Sequence, residues 1–188
     1  MDGLREQEEA EWSRVEDSVC YAALPEEMYA GMTVLKGTAE FSQVNLTETE
    51  DQVCEEFDQE GLGSMFGALA EGMEIKDGRL TLESTDDKLI YADANAHSSD
   101  FTFKTKAGNV TLDKTAGISA AGVMSMKDEE DAVLLVRTLA DGEPVIAFGK
   151  LLGGKWQMNG YVKDSEPNKE VILQLQRIGS LYTAVASY

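Results

Sequence analysis

The sequence predicts a mainly β protein: a β-sandwich or small barrel with one or two short flanking helices and an acidic N-terminal arm. From residue 73 onward, short apolar segments with strand composition follow one another, and the last of them, 170–177, places Val171, Leu173 and Leu175 inward and Gln174 and Gln176 outward. Turn sequences such as Asp77-Gly78 and Asp141-Gly142 separate these segments. A length of 188 residues suffices for one such domain with a buried core.

The first 31 residues are predicted to form an acidic, partly helical arm. Trp12, Val15 and Val19 are three and four residues apart, which is a weak amphipathic pattern, and glutamate dominates the rest. A frayed acidic N-terminus explains the same residues equally well, so both interpretations stay open. Residues 32–188 are predicted to form a single β-rich domain.

A short helix is predicted within this domain, around residues 47–60. Thr47 and Glu50 have the spacing of a capping box. The apolar stripe of this helix consists of Val53, Cys54 and Phe57. A second short helix is predicted after Ser64, ending at Gly72.

Strand composition indicates the following segments: 33–46, 74–76, 79–84, 89–91, 101–106, 110–112, 132–139, 145–148, 156–162 and 170–177. A turn at 107–109 is predicted to reverse the chain, and residues 170–177 are predicted to be the final strand. Residues 132–139 are apolar on both faces, as in a covered central strand. Because neither 132–139 nor 170–177 contains proline, we expect neighbouring subunits to continue or cover their sheet.

The net charge is -19, from 35 acids and 16 bases. Residues 1–60 hold 17 of the acids and only three of the bases. Such a field repels nucleic-acid phosphates and anionic membrane surfaces, so we expect neither specific nucleic-acid binding nor membrane binding. No apolar stretch approaches the roughly 20 residues that span a bilayer, and the acidic start lacks the apolar region of a secretory signal. We therefore expect a cytoplasmic location, in a cell or an infected host.

No catalytic, cofactor-binding or metal site is predicted, and we expect a protein that is not an enzyme. His97, the only histidine, is placed in a polar loop. Asp93, Asn95, His97 and Asp100 alternate as in a calcium loop, but the glycine and glutamate of that motif are missing. Cys20 and Cys54 are expected to be free, half-buried thiols. The alternative is a disulfide bridge, within one subunit or between two.

Residues 132–182 resemble the closing β-strands of phage tail tube proteins. The shared order is a hydrophobic strand, a turn and a returning strand, then a further strand, a turn and an alternating strand that ends in a Gly-Ser step, here Gly179-Ser180. The resemblance implies a small sandwich or barrel with one flanking helix, for which residues 47–60 are the candidate. It also implies a homo-oligomer of hexameric rings that join sheets around a channel, stack along the tail and contact other virion proteins.

The resemblance thus implies a virion protein that is assembled in the host cytoplasm. An acidic channel suits this role, because carboxylates along the lumen would repel passing DNA. The same charge suits a capsid decoration or neck subunit, or an inhibitor that mimics DNA. A mimic would need acids spaced like phosphates on one rigid face, whereas here the acids concentrate in the predicted arm and helix. An enzyme is the third possibility.

Overall fold

The computed structural model describes residues 12–20, 28–48, 51–59, 61–63, 65–98 and 100–188, of which 12–20 and 95–98 are described as backbone only. These residues form β-strands and no helix. The strands are β1 (Trp12–Cys20), β2 (Met28–Leu35), β3 (Gly37–Glu48), β4 (Asp51–Glu55), β5 (Met73–Lys76), β6 (Arg79–Ser84), β7 (Ile90–Ser98), β8 (Phe101–Leu112), β9 (Ala120–Met126), β10 (Ala132–Ala140), β11 (Glu143–Leu152), β12 (Lys155–Lys163), β13 (Val171–Ile178) and β14 (Leu181–Ser187).

The strands form two antiparallel sheets that pack together, which confirms the predicted β-sandwich. The eight-stranded sheet has the order β1-β14-β13-β8-β3-β6-β5, and β4 pairs with the second half of β3. The six-stranded sheet has the order β12-β11-β10-β9-β2-β7. The predicted hairpin at Asp77-Gly78 is present as β5 and β6. Both turn residues have positive φ, of 51° and 73°, as the tight turns that match strand twist require.

The main core lies between the two sheets, and alternation along the strands explains it. In β13, Val171, Leu173 and Leu175 are buried, while the residues between them are partly exposed. The largest apolar side chains of this core include Phe41, Phe57, Phe103, Leu135 and Phe148. Each such burial contributes about 1.5–3 kcal/mol relative to an exposed side chain.

β9 and β10 are buried on both faces. All seven residues of β9 and the first seven of β10 are buried. Leu134 and Val136 belong to a second apolar cluster, with Met124 and Trp156, on the outer face of the six-stranded sheet. The prediction of a central strand at 132–139 is confirmed, because β10 lies between β9 and β11.

The helix predicted around residues 47–60 is wrong for the described part of that segment. Residues 51–55 form β4, in which Val53 lies opposite Leu46 of β3. A helix this short is marginally stable by itself. Pairing of β4 with β3 instead satisfies the backbone N–H and C=O groups that the two strands turn toward each other. Phe57, expected on the helix, is instead buried in the main core and stacks on Phe66 with ring centroids 6.2 Å apart.

The second helix, predicted after Ser64, is also absent from the described residues. Residues 65–70 contain no helix, and Phe66 forms an isolated β-bridge with Ala94. Phe66 lies in an irregular segment, yet its side chain belongs to the main core and is only 3% exposed. Met65 and Phe66 are buried, whereas Leu69, which the predicted helix would turn inward with them, is 39% exposed.

The weak helical pattern near the N-terminus is likewise overturned for residues 12–20. They form β1, which pairs with β14 through two register shifts. Pairing with a strand from the far end of the chain leaves no local signal in the sequence. Residues 1–11 and 21–27 lie outside the described part, so the rest of the arm and the boundary at residue 32 stay predictions.

Three further strand predictions need correction. β8 continues through the predicted turn at 107–109, because Asn109, with φ 46°, lies near a register shift that bends the strand without reversing it. β9 occupies a small-residue segment that was predicted only to separate two blocks. β14 follows residues 170–177, which are therefore not the final strand.

A buried charge pair holds the connection between β12 and β13. Nε of Arg137, on β10, lies 2.8 Å from Oδ2 of Asp164, and both side chains are 2% exposed. The guanidinium also donates hydrogen bonds to the carbonyl oxygens of Lys169, at 2.7 Å, and Glu166, at 3.0 Å. The Tyr188 hydroxyl donates to Oδ1 of Asp164 at 2.5 Å. Arg137 thus binds one of the connections by which the chain passes between sheets.

We predict that Asp164→Ala lowers the free energy of unfolding by about 3–5 kcal/mol, because it leaves the Arg137 guanidinium buried without a counter-charge. Urea unfolding followed by circular dichroism measures this change. Glu170→Ala is the matched control, because its partner Arg79 and Glu170 itself are both more than a third exposed, and such a pair contributes at most about 1 kcal/mol. Equal effects of the two substitutions would contradict the prediction.

Ionisation of Tyr188 should lower the stability of the protein in alkali. Burial, and next the hydrogen bond to Asp164, raise the pKa of Tyr188 above its ordinary value of 10.0. The neutral phenol is therefore favoured in the folded state, and its stabilisation is complete below about pH 10 and lost as pH rises through the raised pKa. In urea titrations from pH 8 to 11, Tyr188→Phe should lose less stability than the unsubstituted protein. An equal loss in both would refute this origin.

Candidate assembly surfaces

One side of the eight-stranded sheet is strongly acidic. Residues 51–78, here called the acidic edge, contain eight acids and one base. β4 at one end pairs with β3, and β5 at the other end pairs with β6, so the segment lies along one margin of the sheet. The exposed acids among the described residues are Asp51, Glu56, Asp58, Glu71, Glu74 and Asp77.

Two local features hold the acidic edge in place. Phe57 is 1% exposed and anchors the segment in the main core, although its φ is 53°. Its backbone N–H donates to Oε1 of Glu55 at 2.7 Å, so one carboxylate supports the turn instead of facing water alone. Most other acids of the segment are exposed, as strands and loops at a sheet margin allow.

The opposite charge occurs on β11 and β12. Residues 144–163, here called the lysine hairpin, contain Lys150, Lys155 and Lys163 and no acid. Lys155 and Lys163 are exposed at the two ends of β12, and the seven residues between them are uncharged. Tyr161 is 56% exposed on this strand. β12 is the terminal strand of the six-stranded sheet.

The acidic edge and the lysine hairpin lie on opposite sides of the sandwich. β1, at one end of the eight-stranded sheet, contacts β11 and β12. β6, beside the acidic edge, contacts β2 and β7 at the other end of the six-stranded sheet. The acidic edge and the lysine hairpin therefore lie at opposite margins of the sandwich.

An apolar groove of about 370 Å³ lies on the outer face of the six-stranded sheet. Its lining includes Leu35, Ile118, Leu134, Val136, Leu151 and Trp156. Glu129, Glu130, Asp87 and Lys88 also border it. Burial, and next the charge of Glu129, raise the pKa of Tyr91, whose hydroxyl lies 3.3 Å from Oε1 of Glu129. The groove has the size and lining to take an apolar group.

The residues considered for chemistry are not gathered into a site. The backbone of His97 belongs to β7, opposite Tyr29, so its placement in a loop was wrong; its side chain lies outside the described part. Asp100 accepts a hydrogen bond from the N–H of Gly179 at 2.6 Å. Among the described residues, no group of three or more His, Cys, Asp or Glu side chains is arranged to hold a metal ion.

Cys54 is a free thiol, as predicted, but it is exposed on β4 where half-burial was expected. Nδ2 of Asn45 donates to its sulfur at 3.3 Å. The side chain of Cys20 lies outside the described part, so its state stays a prediction.

Comparison with protein-family models, curated proteins and solved structures finds no significant match. In the described part of the chain, no helix has the length and apolarity needed to cross a membrane.

The sequence indicated the acidic edge only in part. The excess of acids before residue 60 was evident, but its continuation through Glu71, Glu74 and Asp77 was not. The lysine hairpin was missed as a surface, although a run of 20 residues without an acid, in a chain with 35 acids, is a readable signal. The two surfaces lie on opposite sides because of the order of the strands in the sheets, and local sequence patterns do not reveal that order.

Proposed function

We propose that this protein is a structural subunit that self-assembles into rings or a tube, similar to a phage tail tube protein, and that it acts within a virion beside other virion proteins. One observation carries the proposal: β12 is a nine-residue terminal strand without proline and without charge between its ends. Monomeric proteins usually blunt such an edge with short strands, prolines or central charges. A neighbouring subunit that pairs with β12 would satisfy its free backbone groups.

The basis for this expectation differs from the one that the sequence offered. We expected neighbours at residues 132–139 and 170–177, but these are β10 and β13, which have strands on both sides within the subunit. Their apolar character is explained by burial inside the sandwich. Among the described strands of the six-stranded sheet, β12 and β7 are paired on one side only, and β12 is the one of the two without a charge between its ends.

β12 has the side-chain pattern of a strand that accepts another strand. Its exposure alternates along its whole length, with Trp156, Met158 and Val162 half-buried and Gln157 and Tyr161 exposed. Added strands gain affinity from main-chain hydrogen bonds, while alternate side chains supply specificity. The lysines at the two ends limit how far a partner can slip along the strand.

The charge of the chain supports a channel that DNA traverses. A ring of subunits with a net charge of -19 each repels duplex DNA from its inner surface at distances up to about the 8 Å screening length of physiological salt. The same repulsion opposes assembly, so the contacts between subunits must supply a compensating attraction.

Asn159→Pro tests the proposal. Asn159 has no register partner on β11, because it lies at a bulge between Met158, opposite Gly149, and Gly160, opposite Phe148. Bulges on edge strands are among the sheet positions that accept proline, so we expect the subunit to fold while the proline hinders pairing with a further strand. We expect rings or tubes of the unsubstituted protein in negative-stain electron micrographs, and a monomer for Asn159→Pro at the same concentration. Asn159→Ala keeps the backbone N–H and should assemble.

Circular dichroism and urea unfolding establish that Asn159→Pro is folded. A parent protein that sediments as a monomer up to high concentration at moderate salt would refute self-assembly. If Asn159→Pro assembles as well as Asn159→Ala does, subunits do not join through the edge of β12.

A second prediction concerns DNA. We expect no shift of duplex DNA by this protein in gel electrophoresis at low or physiological salt, because phosphate contacts from scattered lysines are outweighed by the net repulsion. We also expect no competition with DNA for a basic DNA-binding protein. Tight binding to DNA would overturn the channel argument, and strong competition would favour an inhibitor that mimics DNA.

A further inference from the structure

We infer that the lysine hairpin of one subunit binds the acidic edge of a second copy, so that subunits join head to tail. The inference deepens the proposed function, on which it rests, by naming both surfaces of the contact. It follows from the charges of the two surfaces, from their places in the fold and from the strands exposed on each.

Charge selects these two surfaces. Two copies with a net charge of -19 repel each other unless their contact brings opposite charges together. The lysine hairpin has three bases and no acid, whereas the acidic edge has eight acids and one base. The strands of the other long acid-free stretches are interior to their sheets and present no edge to a neighbour; they are β2, β8, β9, β10, β13 and β14.

The positions of the two surfaces determine the kind of contact. Because they lie on opposite sides of one sandwich, each subunit uses one surface for the copy before it and the other for the copy after it. Such a heterologous contact generates a closed ring or an open helical array, depending on the rotation between copies. A symmetric dimer would instead place lysine on lysine or acid on acid, and the charges disfavour both arrangements.

Both surfaces also offer a strand edge. β12 spans nine residues, or about 30 Å, and β4 spans five residues, or about 17 Å, so β4 matches about half of β12. β4 pairs with β3 on one side only among the described strands, and Val53 on it is 44% exposed. Joining β12 to β4 would therefore extend a sheet from one copy to the next.

The two edges carry opposite charges at corresponding ends of the sandwich. Lys155 begins β12 at the end of the sandwich where β3 and β4 meet, and Asp51 is exposed there. Lys163 lies at the other end, toward which the acidic edge continues through Glu74. When copies are related by rotation about an axis along the strands, each lysine faces the acid at its own end.

Two charge-reversed variants test the contact. One is Lys155→Glu/Lys163→Glu and the other is Asp51→Lys/Glu74→Lys; all four residues are exposed, so both variants should fold. We expect each variant alone to sediment as a monomer at a concentration where the parent protein assembles. A one-to-one mixture should assemble, because each reversed residue at an end of one edge then faces an oppositely charged residue at the same end of its partner.

Lys114→Glu/Lys169→Glu is the control, because it changes the net charge as the first variant does but alters exposed lysines outside both surfaces. It should assemble like the parent. A second measurement uses Cys54, exposed on the acidic edge, in a Cys20→Ser background. Its rate of labelling by a maleimide should fall several-fold on assembly of that protein and stay unchanged in the Asp51→Lys/Glu74→Lys variant.

The outcomes separate the inference from the proposed function. If the parent assembles and both variants assemble alone, or if their mixture stays monomeric, the contact is elsewhere and self-assembly stands. Cys54 labelling that is not slowed in assembled protein would also overturn the contact. If the parent and the mixture both stay monomeric at every concentration, self-assembly itself is refuted, and the inference with it.

Discussion

Arg137 holds the loop that joins β12 to β13, and the positions of both strands depend on this contact. The guanidinium lies between the sheets, bound to the carboxylate of Asp164 and to two carbonyl oxygens of the same loop. The backbone N–H of Asp164 donates to the carbonyl of Pro144, so the loop is also tied to the start of β11. A buried charge pair thus holds the loop that follows β12, the strand with the exposed edge.

The structure also shows how so acidic a chain keeps an apolar interior. Among the described residues, most acids lie in loops or along one margin, whereas the space between the sheets holds few charges. Arg177 is 3% exposed, donates to the carbonyl of Gly179 and lies 5.7 Å from the ring centre of Tyr182. Tyr182 in turn lies 2.9 Å, hydroxyl to hydroxyl, from Ser125 of the other sheet. Polar groups in the interior therefore serve to join elements.

The sequence predicted those elements whose signal is local. The Asp77-Gly78 hairpin and the central strand at 132–139 were evident, because turn type and burial on both faces leave direct patterns in composition. β4 was mistaken for a helix, since its acids and its spacing of Val53 and Phe57 suit either structure. β9 and β14 are rich in small residues that carry little strand preference, and only pairing with distant partners makes them strands. For the same reason, the sequence showed part of the charge of the acidic edge, but not that this edge and the lysine hairpin lie on opposite sides.

The pairing of β1 with β14 has a consequence for the order in which the protein matures. The two strands are separated by most of the chain, and β3–β8 and β2–β9 also join distant segments. Contacts so remote in sequence make folding slow. During synthesis, the eight-stranded sheet stays incomplete until residues 181–187 have left the ribosome. Residues 12 to 187 must therefore all emerge before the native sandwich can form, so a chain cut short before β14 cannot complete its larger sheet.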